Sequence, residues 1–289
     1  MKIVFLGTPV AAATVLRALV HEGHSIVGVV TPPDRRRGRG SLKSPTPVGL
    51  AAQELGLPLW HDVEHVTSSG AELGVVVAYG HLIRKPLLDQ VPMLNVHFSL
   101  MPRWRGAAPV ERAILAGDEE TGVCIMGLEA TLDTGPIFAR ATTPVGEKSA
   151  AELLDELSYL GAALLCDVVR DGNLPQPVAQ SGDVNYAAKL LAEDFHLTPL
   201  ATVEELGRIV RCSRAYFFVG AQRVRVVSAR RSNARSRGPG LVTLDDGEVG
   251  LHCANGVLGV QRVVPAGGRE MLATDWARGA RLAHDSTWS

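Results

Sequence analysis

KIVFLGTPVAAATVLRALVHEGHSIVGVV, residues 2–30, decides the fold class. After Lys2 the run IVFLG is apolar and rich in β-branched residues, the composition of a buried strand. Thr8 and Pro9 mark a turn, AAATVLRALV reads as an apolar helix, and SIVGVV is a second apolar strand closed by TPPD. Strands that are apolar at nearly every position, with a helix between them, predict a parallel sheet covered by helices, hence an α/β fold.

The same pattern continues downstream. PTPVGLAAQELG predicts a helix ending at Gly56, GVVVAYG a third buried strand and PMLNVHF a fourth, followed by a helix in AAPVERAILAGD and strands in TGVCIMGLEA and IFARATTPV. The stretch SAAELLDELSYLGAALLCDVVRDG carries the clearest helical signal. Ser149 and Glu152 form a capping-box pair, Leu153, Leu157, Leu160, Leu164 and Val168 recur at helical spacing, and Gly172 stands just past the end. Beyond Asn173 the texture changes. LPQPVAQSGDVN, rich in Pro, Gln and Ser, reads as a crossing linker that NYAAKLLAEDF continues, and VEELGRIVRC reads as one more helix. YFFVGAQRVRVVSARR, GLVTLDDGEVGLHC and GVLGVQRVV are short alternating strands parted by Gly and Asp turns, the spacing of a small β-barrel. The expected organisation is therefore residues 1–172 as one domain, 173–203 as linker and 204–289 as a second domain.

Composition narrows the function classes. A chain of 289 residues is long for one core. A hydrophobic share of 46% with 20% charged residues describes an ordinary globular protein, and no apolar run approaches the eighteen residues of a membrane span. MKIVFLGTP has one lysine and an apolar run too short for a secretory signal, and the four scattered cysteines show no CxxC pair, so reduced thiols in the cytoplasm are expected. The net charge of −1 hides a split: from Glu204 onward 13 arginines face 8 acidic residues, a net of +5, leaving −6 for residues 1–203. A basic C-terminal part fits a chain that meets a polyanion with one end, although an arginine-rich solvated surface would look the same.

The chemistry concentrates at strand ends. The turn GTP lacks the second and third glycines of a dinucleotide fingerprint, which speaks against a nicotinamide enzyme. In open α/β sheets ligands bind at the carboxyl ends of the strands, where Asn95 and His97 fall, two residues apart and so on one face of the strand. An amide donor stabilises a developing oxyanion and an imidazole donates or shuttles a proton. Asp133, in the loop ATLDTGP after a later strand, would fix the tautomer of the histidine. Each residue alone has an ordinary structural role, as a strand-end cap, a satisfied buried histidine or a turn aspartate. Together the three suit acyl transfer without a nucleophilic Ser or Cys.

NVHFSLMPRWRGAAPVERAILAGD followed by TGVCIMGLEATLDTGPI resembles the 10-formyltetrahydrofolate-dependent formyltransferase family. KIVFLGTP, TPPDRRRGRG, SPTPVGLAAQELGLPL and VVVAYGHLI are similar to its N-terminal half, and GLVTLDDGEVGLHCANGVLGVQRVVPAGGREMLATDWARGARL to its C-terminal domain. The resemblance covers nearly the whole chain. It implies a Rossmann-like N-terminal formyltransferase domain and a C-terminal OB-fold-like β-barrel domain. It also implies Asn95, His97 and Asp133 as the catalytic trio, and 10-formyltetrahydrofolate as formyl donor with no metal. The folate would lie against Val77, Ala78, Tyr79 and Gly80, with Ser99, Leu100 and Pro102 adding to its site. The acceptor it implies is the α-amino group of methionine esterified to initiator tRNA, on a monomeric, cytoplasmic enzyme without membrane contact. The alternatives are another acceptor amine, such as a nucleotide sugar or glycinamide ribonucleotide, and an RNA-binding relative without activity.

The RNA side rests on cations as well. Arg35, Arg36, Arg37, Arg39 and Lys43 among glycines suit approach to phosphates, and Arg39 best matches the family's acceptor-arm loop. Arg103, Trp104 and Arg105 suit stacking on a terminal base, or equally a structural loop whose tryptophan plugs the core. Arg223, Arg225, Arg230, Arg231, Arg235 and Arg237 are candidates for an RNA-facing side. Three departures from the family pattern stand out: GTPVAAAT lacks an acidic and an aromatic residue after the proline, Phe98 follows the histidine where smaller residues are common, and EDFHLTP lacks a tryptophan. Phe98 is expected to reshape the pocket and the linker end to weaken contact with tRNA.

Overall fold

The strand β1 (Lys2–Gly7), buried from Ile3 onward, sits inside a seven-stranded sheet in the computed structural model, which describes residues 1–36, 43–283 and 285–289. α1 (Val10–His21) carries the chain to β2 (Ser25–Val30). Gly7 is required at this crossing, because a Cβ there would lie 2.8 Å from Ala12 Cβ and 3.0 Å from the Val77 carbonyl oxygen. An antiparallel ribbon, β3 (Arg35–Arg36) with β4 (Lys43–Ser44), precedes α2 (Pro47–Glu54), β5 (Leu59–Trp60), β6 (Leu73–Val77), α3 (Lys85–Leu88) and β7 (Met93–His97). Beyond lie β8 (Arg105–Gly106), α4 (Pro109–Ala116), β9 (Glu120–Gly127), β10 (Ile137–Pro144), α5 (Ala150–Val169) and β11 (Tyr186–Ala187).

The sheet order is β10-β9-β7-β6-β1-β2-β5, parallel from β5 through β7, with β9 and β10 added antiparallel. The parallel strands are apolar at almost every position because helices cover both faces, as expected from the sequence. Each fully buried Leu, Ile or Phe here contributes roughly 1.5–3 kcal/mol of transfer free energy. The chain divides into two compact units. The first comprises Met1–Val110, Glu120–Pro144 and Leu153–Ala188, and the second comprises Glu111–Glu119, Val145–Glu152 and Lys189–Ser289. The stretch expected as a linker is thus not free over its first part. Val178 exchanges backbone hydrogen bonds with Ile137, and Tyr186 and Ala187 pair with Arg105 and Gly106 in the first unit.

In the second unit α6 (Val203–Arg211) buries Val203, Leu206 and Val210 and starts in a capping box between Thr202 and Glu205. It packs against an antiparallel sheet ordered β12 (Tyr216–Val219), β13 (Gln222–Arg231), β16 (Gly256–Pro265), β15 (Glu248–Cys253) and β14 (Val242–Asp245), with β17 (Met271–Leu272) beside β16 and α7 (Ala273–Gly279) after it. The sheet curls and its two edges are joined by the segment 286–289: Val242 and Trp288 bond to Ser286 and Gly240, while Ser289 exchanges two bonds with Phe218. This is the OB-fold-like barrel expected. α7, which turns Ala273, Trp276 and Ala277 inward, and the closing segment lie outside the helices and strands read from the sequence. No helix among the described residues is long and apolar enough to cross a membrane.

Candidate functional site

Strand alternation builds the site. In β7 Met93, Leu94 and Val96 are buried among apolar neighbours, and Asn95 and His97 share a face that opens on a cavity of about 580 Å³. Asn95 lies opposite Val76 of β6 and Met126 of β9, and His97 lies opposite Cys124. The remaining walls come from Val76 and from Ala78 to Ile83 after β6, from Val96 and Phe98, from Gly106, Ala107 and Pro109, and from Leu128 to Asp133 after β9. A volume of this size is typical of a small-molecule site.

His97 is 6% exposed, and its Nε2 lies 2.9 Å from the carbonyl oxygen of Trp104. A carbonyl only accepts, so Nε2 carries the proton. Nδ1 faces Asp133, whose Oδ2 is 3.9 Å away and accepts a hydrogen bond from the Gly106 backbone N–H at 2.8 Å. Asp133 is itself 7% exposed. A proton taken up at Nδ1 therefore meets a carboxylate already oriented by a backbone donor. The side-chain amide of Asn95 makes no hydrogen bond to another described residue and lines the cavity.

Backbone strain collects at the same place. Six non-glycine residues among those described have positive φ, and three of them, Ala78 (φ 44°), Trp104 (φ 64°) and Asp133 (φ 52°), surround this site. Each such residue costs on the order of 1–3 kcal/mol and persists only where its surroundings hold it. At Trp104 the left-handed turn aims the carbonyl at His97, and at Asp133 it places the carboxylate over the Gly106 amide.

The sequence-predicted residues separate into two groups. The structure brings together Asn95, His97 and Asp133, with Ala78, Tyr79 and Gly80 on the cavity wall. Val77, Ser99, Leu100 and Pro102 are not on that wall. Val77 is fully buried in the sheet, the Ser99 hydroxyl donates to the Arg103 carbonyl at 2.7 Å, the Leu100 side chain lies against Gly122, and Pro102 is buried. Phe98 lines the cavity beside His97, and its ring also reaches Gly161 of α5, with Cε1 3.8 Å from where a Cβ there would stand. Arg105 gives Nε and Nη2 to Gln180 Oε1 at 3.2 and 2.6 Å, and Asn185 Oδ1 accepts from the Trp104 N–H at 2.5 Å. Composition hid Gln180 and Asn185, because a polar, proline-containing stretch reads as linker unless the partner of each amide is known.

The cations differ in use. Arg37 and Arg39 lie outside the described residues, and Arg35, Arg36 and Lys43 lie in the β3–β4 ribbon. The Arg103 guanidinium sits 4.6 Å over the Trp104 ring. Arg223 and Arg225 stand on the exposed face of β13, with Arg223 3.8 Å over the Tyr216 ring. Arg230, Arg231 and Arg237 are paired with Glu248, Glu204 and Asp245, while Arg235 is exposed. All four cysteines are buried with thiols pushed up by burial, Cys212 to about 12, so none supplies a thiolate nucleophile. Among the described residues no group of three or more His, Cys, Asp or Glu is placed to hold a metal ion.

A Rossmann-like sheet with this polar trio at its carboxyl end, followed by a curled basic barrel, defines a formyl-transfer class. The formyl transferase family matches residues 1–169 and the formyl transferase C-terminal domain matches residues 193–281, and the chain belongs to this family. It is similar to a methionyl-tRNA formyltransferase of Halorhodospira halophila, 40% identical over 302 residues that cover 97% of each chain. Among solved structures, an N-formyltransferase from Helicobacter canadensis in complex with folinic acid and dTDP-3-aminofucose superposes with a TM-score of 0.71 at 14% identity, over 90% of this chain and 99% of that one. A methionyl-tRNA formyltransferase from Clostridium thermocellum gives 0.61 at 14% identity, over 81% and 95%.

Proposed function

We propose that the chain transfers the formyl group of 10-formyltetrahydrofolate to the α-amino group of methionyl initiator tRNA. The observation that carries this is the Asn95, His97 and Asp133 constellation on the cavity, in a chain that aligns end to end with a methionyl-tRNA formyltransferase. The cavity suits a folate: apolar walls at Tyr79, Leu82, Leu128 and Leu132 accept flat ring surface, and the amide of Asn95 has no partner among the described residues.

The donor supplies an electrophilic formyl carbon on nitrogen, and the chain supplies the polar groups around it. As the amine nitrogen bonds to that carbon, the Asn95 amide donates to the formyl oxygen where negative charge develops, and His97 stands beside it with Nδ1 able to accept a proton. The amine gives up a proton as the carbon–nitrogen bond of the donor breaks, and the donor nitrogen gains one. The carboxylate of Asp133 and Nδ1 of His97 are the groups placed to receive the first proton. The Trp104 carbonyl holds the proton on Nε2, which leaves Nδ1 as the nitrogen able to accept.

For the RNA we assign Arg35, Arg36, Arg37, Arg39 and Lys43, with Arg103, Trp104, Arg223 and Arg225, as contacts to phosphates and an unpaired end. Arg105 spends two of its donors on Gln180, which makes it a brace in this scheme. Residues 1–172 carry the chemistry, 204–289 face the RNA and 173–203 connect them. One chain supplies the whole trio, so the enzyme is taken as a monomer, acting in the cytoplasm where its substrates are.

The test is transfer of labelled formyl to purified methionyl initiator tRNA, beside uncharged tRNA, an elongator methionyl-tRNA and a dTDP-amino sugar. Formylation confined to the charged initiator supports the assignment. Formylation of the sugar amine in its place overturns it.

A further inference from the structure

We infer that Gln180 is a positioning residue for the formyl transfer, the centre of a clamp through which residues 178–187 hold the Asp133 loop and the PRWRG loop in one geometry. The inference rests on the trio acting as proposed above. Its elements are direct contacts. The Gln180 amide nitrogen has two hydrogens and donates to two carbonyls of the Asp133 turn, Asp133 O at 3.0 Å and Gly135 O at 2.8 Å. Its Oε1 accepts both Nε and Nη2 of Arg105. One side chain therefore ties together two loops that are 28 residues apart in the chain and that meet again where the Gly106 N–H donates to Asp133 Oδ2.

The backbone on both sides of Gln180 completes the clamp. Val178 pairs with Ile137, just past the Asp133 turn. Asn185 accepts from the Trp104 N–H with its side chain and from the Arg105 N–H with its carbonyl, and Ala187 O accepts from Ala107. Trp104 is the residue whose carbonyl fixes His97, so Asn185 holds the loop that carries the histidine's acceptor as Gln180 holds the backbone of the turn that carries its carboxylate. The strained φ of Trp104 and Asp133 calls for such support, since neither conformation is intrinsically preferred. A displacement of about 1 Å in a reacting group costs on the order of 100-fold in rate.

Three variants separate positioning from mere stability. Gln180→Glu keeps the acceptor for Arg105 and removes the donation to both carbonyls; Gln180→Met removes both functions; Arg105→Met releases the clamp from the other side. At saturating donor and tRNA, kcat is expected to fall about 10- to 100-fold in Gln180→Glu and Gln180→Met, with KM for either substrate within about 2-fold of wild type. The double variant Gln180→Met with Arg105→Met is expected to lose no more than Gln180→Met alone. A purely structural glutamine would lower Tm and the active fraction while leaving kcat per folded molecule unchanged, and that result overturns the proposal. Amide hydrogen exchange supplies a readout that does not depend on turnover. Gly106 and the 133–135 turn are expected to exchange faster in Gln180→Met than in wild type, and unchanged protection there also overturns the clamp. If wild type itself formylates no tRNA, the functional assignment fails and the exchange arm still decides the clamp.

Discussion

The two sheets treat their backbone ends in opposite ways. At the carboxyl end of β6 and β7 the parallel sheet stops in loops with left-handed residues, an asparagine whose side chain bonds to no other described residue, and a cavity. The curled sheet instead closes its edges, with residues 286–289 bonded to Phe218 on one side and to Gly240 and Val242 on the other, and Arg223 and Arg225 lie on its exposed face. Chemistry needs donors that are fixed yet unspent, and only the first arrangement supplies them. A closed barrel gives a rigid platform whose exposed arginines bind through charge and pay little for being solvated.

The sharpest way to break this comparison is to remove a group from the trio. His97→Ala is expected to lower kcat by about 10²- to 10⁴-fold, and Asn95→Ala by about 10²- to 10³-fold, with tRNA affinity unchanged by filter binding. Gly106→Ala comes next. Its φ of 122° and a Cβ 2.8 Å from Ala187 O leave no room for a side chain, so thermal denaturation should show a loss of about 1–3 kcal/mol together with reduced turnover, because the N–H that orients Asp133 moves.

Changes in the barrel should behave differently. Arg225→Ala is expected to weaken tRNA binding and to reduce the slope of log affinity against log salt by about 1, with kcat at saturation retained. The smallest effect is on pH. Burial, aided by the Arg237 charge, lowers the pKa of His252, so the unfolded chain binds more protons than the folded one as pH falls. Its stabilisation is complete above the unfolded pKa of about 6.5 and is lost as pH falls through the folded value. Urea denaturation followed by a barrel tryptophan, Trp276 or Trp288, should show a falling midpoint below about pH 6.5, and His252→Gln should flatten that dependence.

Much of this was legible in residues 2–30 and 92–137. Apolar strands parted by helices show their period directly, and Asn95 and His97 showed themselves as polar side chains placed where a buried strand should be apolar, with Asp133 in the loop after a later strand. The ribbon of β8 and β11 did not show, because two-residue pairings have no period and are held by Gln180 and Asn185 side chains. The closure by Thr287 to Ser289 is made almost wholly of backbone bonds, so no residue type announces it. Val77, Ser99, Leu100 and Pro102 carried the right neighbourhood from the family resemblance, but strand alternation and the tight turn after His97 direct them into the core. Arg230, Arg231 and Arg237 read as free positive charge until their carboxylate partners on β15, α6 and β14 came into view.

The most direct test of the central claim, that chemistry belongs to the open sheet end and RNA binding to exposed cations, is a paired measurement on His97→Ala and on the double variant Arg223→Ala with Arg225→Ala. Single-turnover formylation at saturating enzyme and the dissociation constant for methionyl initiator tRNA are read for each. The account predicts that His97→Ala loses at least about 100-fold in rate at wild-type affinity, while the arginine pair loses affinity at a nearly wild-type rate. Equal losses of both quantities in both variants would contradict it.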